Sequence, residues 1–355
     1  MKRVLGDEFY CWSVFSEDRQ IDFNGHLWVR GEGNILIDPL PMIDSDLEQL
    51  DSLGAVTDII ITNRDHERQA AFFRARSGAQ VVAHEADAPL LETAPDRTVA
   101  DGDEIVPGLR AVHLRNGKSP GEIALYWPSK RLVVAGDLIV GTPMGELSIL
   151  PDPKLENPAA AVLELRKLLA LKFDAILLGD GHSLLSDARE HLLRCLENRG
   201  DIFINRIHVD EMEWAPRPGP EGYRWEAKEI DALIGARQFG FRLIRLPPGE
   251  STFPYHFHHV TEELFQVMEG ECTVLTRSGR HAVRAGDFLS FPPGAGSAHK
   301  FVNESAAPCV MLALGNEDPH DVSEHVDSDK IGVKAIRPKS LNFRKQDAVD
   351  YWSGE

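Results

Sequence analysis

Two stretches of the chain concentrate side chains that can do chemistry. The first is PPGESTFPYHFHHVTEELFQVMEGE, residues 247–271, which carries His256, His258 and Glu263. In an extended strand, residues two apart project to the same face, so His256 and His258 point the same way and His259 points the other. The segment GDFLSFPPGAGSAHKFVN, residues 286–303, adds His299 and Asn303 from a different strand. Imidazole and carboxylate are the donor types of transition-metal sites. A single histidine is more often an ordinary surface or core residue, and the weight here comes from four residues together. The second stretch is ITNRDHER, residues 61–68, followed at a distance by Lys118, Asp137 and His182.

The elements that must position these residues fall into two textures. In the first half strands and helices alternate. A hairpin is expected from His26 to Asp38, turning at residues 31–34, then a helix from Asp44 that stops at Gly54. Next come a buried strand Asp58–Thr62, a helix from Glu67 to Arg76 ending before Gly78, and a strand Gln80–Ala83. Residues 109–140 suggest a β-meander, and helices over residues 157–171 and 184–198 flank the strand Ala175–Leu178. Such an order suits a sandwich of sheets flanked by helices. The Pro/Gly cluster from Trp214 to Gly222 marks a domain boundary. From Phe239 to Leu314, short strands separated by PPGE, RSGR, RAGD and PPGAG turns indicate an all-β barrel or sandwich.

The carboxy-terminal segments resemble the cupin family. They reproduce its two-part signature: His-x-His, four residues, Glu, six residues, Gly, and then Gly, five residues, Pro and a later His-x3-Asn. The turn before His299 is slightly longer than the family pattern. The resemblance implies a β-barrel in which His256, His258, Glu263 and His299 hold one divalent transition metal. Three nitrogens and one oxygen suit Fe, Mn, Ni, Zn or Cu and do not choose among them. Four protein ligands on an octahedral ion leave two positions for water, dioxygen or a chelating substrate. His281, beside a turn, is expected in solvent.

The first half resembles the metallo-β-lactamase-like hydrolases. Gly33–Asp38 looks like that family's early strand, Ser119-Pro120-Gly121-Glu122-Ile123-Ala124-Leu125-Tyr126 like its SPGHxALY segment, and Val134–Asp137 like the strand ending in its metal-bridging aspartate. Gly179-Asp180-Gly181-His182 stands where the family keeps its last ligand histidine. The resemblance implies an αββα sandwich, but the two-zinc signature Thr-His-x-His-x-Asp-His is damaged and Lys118 replaces the histidine before SPG. Two registers fit the loop. One places Asn63, Asp65, Glu67 and Arg68 on the ligand positions and dismantles the site. The other lets Asp65, His66, Asp137 and His182 recreate a single metal site, a second metal for the chain. A plain structural role also fits, with Asp65 capping a helix, and Arg64, Arg68 and Lys118 could instead make an anion pocket.

The expected organisation is a degenerate metallo-β-lactamase-like domain over residues 1–205, a linker over 206–225, a cupin over 226–325 and a carboxy-terminal arm over 326–355 that wraps the barrel or reaches a partner. A net charge of −18, spread along the chain, argues against nucleic acid and anionic membranes as partners. No apolar run is long enough to cross a bilayer, and the amino terminus lacks the apolar core of a signal peptide. Four scattered cysteines suggest free thiols and a cytoplasmic location. The function expected is a cupin metalloenzyme of dioxygenase or isomerase type acting on a small oxygen-rich metabolite, as a homodimer. A metabolite-binding or sensing protein without turnover is the alternative, as is a mononuclear hydrolase in the first domain.

Overall fold

The computed structural model of the chain describes residues 1–217, 219–236, 238–316, 318–334 and 341–354. It divides into two compact units, Met1–Ile204 and Asn205–Glu355. The first is built on a seven-stranded and a five-stranded sheet. Strands Asn34–Ile37, Val56–Ile60, Gln80–His84 and Arg97–Val99 run parallel in the larger sheet. Their apolar runs are buried on both faces, as parallel strands require. One face meets the other sheet through Phe9, Trp28, Ile37, Ile60, Val82, Leu125 and Trp127, and the opposite face lies under the helices Asp44–Leu53 and Ala70–Ser77. A separate cluster seals the smaller sheet against Pro158–Glu164, Arg166–Leu169 and Ala188–Glu197. These layers form the αββα sandwich.

Several elements differ from expectation. The strands Lys2–Leu5 and Phe9–Ser16 extend the first hairpin into a four-strand antiparallel edge. The helix expected over residues 157–171 is two shorter helices, parted at Leu165. The helix expected from Glu67 begins at Ala70, after a single turn Arg64–His66 that is capped by the Asn63 side chain.

The second unit stacks a six-stranded sheet on a seven-stranded one around Phe265, Val274, Phe291, Phe301 and Met311. The stretch expected to be a linker supplies Ala215–Arg217, which pairs with Trp225–Glu229 at one sheet edge. The stretch expected to be an arm supplies Lys330–Val333 and Leu341–Arg344 at the edge of the other sheet. Neither stretch reads as strand because these segments are only three or four residues long and contain or adjoin Pro, Gly or charged residues, yet an edge strand needs only backbone partners on one side. Among the described residues no helix is long and apolar enough to cross a membrane, and all four cysteines are free thiols.

Candidate metal centre and a charge-locked second site

His256 and His258 lie on the short strand His256–His258, whose first residue pairs directly with His299 across the sheet. Glu263 opens the strand Glu263–Glu269 of the facing sheet. All three Nε2 atoms converge on Glu263 Oε2, at 3.8 Å from His256, 3.3 Å from His258 and 3.4 Å from His299. Donor atoms of His256, His258 and Glu263 all lie within 4.8 Å of one another, close enough for an ion bound at about 2.0–2.2 Å to be shared among them, and His299 approaches this group at Glu263.

The other ring nitrogen of each histidine is held from outside. His256 Nδ1 meets the Pro254 carbonyl at 2.9 Å, His299 Nδ1 the Ser297 carbonyl at 3.0 Å, and His258 Nδ1 the Asp321 carboxylate at 2.5 Å. An acceptor at Nδ1 fixes the proton there and leaves a lone pair on Nε2 aimed inward, the arrangement metal-binding histidines use. Phe291 stacks on the His299 ring at 3.7 Å between centroids and holds its plane. Two donor atoms, Glu263 Oε2 and His299 Nε2, are buried without any hydrogen-bond partner. Buried polar atoms are rarely left so, and a cation between them would satisfy both. Burial presses His256 down to about 4 and lowers His299, so both stay neutral and able to ligate. Burial of His258 is outweighed by Glu263 and Asp321, which raise it and hold a proton that an ion beside Glu263 would displace. Glu263 would be raised by burial, but the imidazoles around it hold it near 2, as a carboxylate.

Sequence patterns missed Asp321. It is completely buried, and besides His258 its carboxylate accepts the Val260 and Thr261 amides at 3.0 and 3.2 Å. Burial opposes its ionisation, yet His258 and these donors hold it well below the usual carboxylate range. His259 turns away to Glu324, and His281 is exposed.

In the first unit, His66, Asp137 and Asp180 come together, and two of the four residues expected there do not join them. His182 is exposed, because the left-handed Gly181 turns the chain so that the Asp180 side chain enters instead. Asp65 is exposed and binds Lys118. The loop takes something from each register. Asn63 caps the turn, and Glu67 accepts the Glu92 and Thr93 amides. Arg68 reaches the Asn24 carbonyl at 2.7 Å and Asp180 at 3.1 Å. His66 meanwhile sits against the expected bridging aspartate.

Cations of the protein fill this site. His66 Nδ1 meets Asp38 and its Nε2 meets Asp137, both at 2.8 Å, while the Lys118 ammonium lies 2.9 Å from Asp137. Burial and the Arg68 charge would lower the His66 pKa, but Asp38 and Asp137 outweigh them and push it up to about 10. An imidazolium has no lone pair for a metal. Asp137, despite burial, is held far below the carboxylate range by His66 and Lys118. The anion pocket considered above is not formed, since Lys118 and Arg68 are engaged by carboxylates and Arg64 donates to the Lys118 carbonyl.

Comparisons with known proteins agree with this division. The family model described as metallo-beta-lactamase superfamily matches residues 1–198, and the cupin domain model matches residues 242–315. No curated protein matches the chain. Among solved structures, a metallo-beta-lactamase from Pontibacter korlensis is 17% identical, with a TM-score of 0.47, covering 56% of this chain and 98% of that one. A sugar phosphate isomerase from a cupin superfamily, from Silicibacter pomeroyi, is 26% identical, with a TM-score of 0.37, covering 40% of this chain and 94% of that one. By its own fold and by a model spanning more than half its length, the chain belongs to the metallo-beta-lactamase superfamily, with a cupin domain following the hydrolase fold.

Proposed function

We propose that the cupin unit is a mononuclear metal centre that acts on a small oxygen-rich metabolite, as an oxidoreductase or isomerase, and that the metallo-β-lactamase unit is its scaffold. The observation that carries this is the convergence of three outward-anchored imidazoles on the unpartnered Oε2 of Glu263. His256, His258, Glu263 and His299 would hold the ion. A bound divalent ion would supply Lewis acidity or a redox centre to a substrate oxygen. The chain's own contribution is orientation: Pro254, Ser297 and Asp321 fix the rings, and Phe291 and Phe265 pack against the His299 ring.

The amino-terminal unit supports no two-metal hydrolysis. Such chemistry needs two ions roughly 4 Å apart holding the attacking and leaving oxygens. Here Lys118 and protonated His66 neutralise the aspartates that would hold them. A mononuclear hydrolase would first have to strip a proton that two buried carboxylates retain.

The test is a turnover screen of metal-loaded protein with hydroxy acids, phenols and sugars, following oxygen uptake and product isomers. The double variant His256→Ala/His258→Ala serves as control. Turnover that vanishes in the control supports the enzyme. Tight binding of a metabolite without any turnover would make the unit a sensor instead, and thioester or lactam hydrolysis surviving in the control would return catalysis to the first unit.

A further inference from the structure

The metal-facing histidines belong to two rows that run across the sheet and beyond it. In one, His299 pairs with His256, His256 with His325, His325 with Lys330 and Lys330 with Arg344. In the other, His258 pairs with Ser323, Ser323 with Gly332 and Gly332 with Asn342. Directly paired residues project to the same face of a sheet. His256, His258 and His299 use that face to reach Glu263, so His325, Lys330, Arg344, Ser323 and Asn342 share the face of the metal centre.

The strip is polar and tightly gathered near its middle. A methyl group on Gly332 would lie 2.7 Å from Ser323 Oγ, 3.0 Å from Asn342 Oδ1 and 3.8 Å from His325 Nε2. His325 lies 6.1 Å from the His256 ring between centroids, nearly parallel to it, and its Nδ1 is buried with no hydrogen-bond partner. Lys330 is half-buried and Arg344 exposed, so the strip leads from the centre to solvent. Charge differs between the two faces. On the outer face Lys345 is paired with Glu324 and Asp329. On the inner face neither Lys330 nor Arg344 has a carboxylate partner among the described residues. Two cations without a carboxylate partner among the described residues, aligned on the face of the candidate metal centre, stand out in a chain of net charge −18.

We propose that this strip receives an anionic group, a carboxylate or a phosphate, at the far end of a substrate whose oxygens reach the metal. His325, Ser323 and Asn342 offer hydrogen bonds to the part between. The Lys330 strand lies two inter-strand steps from the His256 strand, about 10 Å, which suits a small metabolite of a few carbons rather than a polymer. The inference rests on the metal-centre reading above and narrows its substrate class.

The test compares ligand pairs that share a chelating end and differ in a distal charge: lactate against malate, and glycerate against 3-phosphoglycerate. Each is titrated calorimetrically into the metal-loaded full chain. A charge-assisted contact is worth about 1.5–3 kcal/mol, so the distally charged member of at least one pair should bind roughly tenfold tighter or more. Which pair shows the gain separates carboxylate from phosphate. In Lys330→Ala/Arg344→Ala the gain should disappear, while metal content and lactate or glycerate binding stay unchanged, and Lys330→Arg should keep much of it. Equal binding within both pairs, or a gain that survives the double variant, overturns the strip while leaving the metal centre intact. A wild-type chain that takes up no metal and binds none of the four overturns both.

Discussion

At the scale of single residues, the metal centre depends on groups that act through others. Asp321 touches no ion position, yet it fixes the His258 ring through Nδ1 and ties the following loop through two amides. Outer partners of this kind typically change metal affinity by about 10–100-fold. Asp321→Asn is therefore expected to weaken metal binding in that range in competition with a chelator, and unaltered affinity would show that His258 is positioned otherwise. Glu122 is the corresponding test in the first unit. It is fully buried, Oε1 accepts the Leu138 amide at 2.6 Å, and Oε2 has no partner. Burial, reinforced by the Asp137 charge, pushes its pKa up to about 8. A carboxyl whose folded pKa is raised stabilises the fold fully below its unfolded value near 4.5, and that contribution is lost as pH rises through 8. Asp38 and Asp137, both lowered, act oppositely and lose their contribution as pH falls below the usual carboxylate range. Between pH 5 and pH 8 the wild type should therefore lose thermal stability relative to Glu122→Gln, which mimics the protonated form. Identical slopes in the two proteins would mean that Glu122 is not held protonated.

At the scale of elements, strand ends and glycines decide which side chains meet. The strand Ala175–Leu178 runs into Gly179, where an added methyl would come within 2.4 Å of His66 Cε1. The buried ring cannot move without breaking its bonds to Asp38 and Asp137. Gly179→Ala should cost about 1–3 kcal/mol by overpacking, read as a lowered midpoint in denaturant unfolding. A stability equal to wild type would show that the His66 network is loose. Such local geometry also explains what the sequence could disclose. Strand periodicity puts His256 and His258 on one face, and the spacing of Glu263 and His299 along the chain points to the same centre, Glu263 reaching it from the facing sheet. Asp321 and His325 were not legible, since they flank and end the later strand Val322–His325, which is joined to the site only by long-range pairing. Asp180 was obscured by His182, the more obvious ligand type, and only the turn at Gly181 shows which of them enters. The two loop registers could not be separated because the chain satisfies parts of both: Asp65 meets Lys118, and His66 meets Asp137.

At the scale of the whole molecule, two units carry opposite fates for a metal site. In one, the donors are anchored from outside and left unpartnered within. In the other, the protein's own cations close the network. The chain is also expected to form a homodimer. Leu264, Met268 and Phe288 are exposed on paired cupin strands, and Tyr351 and Trp352 are exposed near the carboxy terminus. Apolar groups so displayed commonly mark an interface. Sedimentation at micromolar concentration should give twice the chain mass, with Tyr351→Ala/Trp352→Ala or Phe288→Ala weakening association, and a wild-type monomer would contradict it. Elemental analysis of the purified chain shows where metal resides. About one transition-metal ion per chain is expected in the wild type and none in a folded His256→Ala/His258→Ala variant. Two or more ions per wild-type chain, or a metal content that the double variant leaves unchanged, would contradict it.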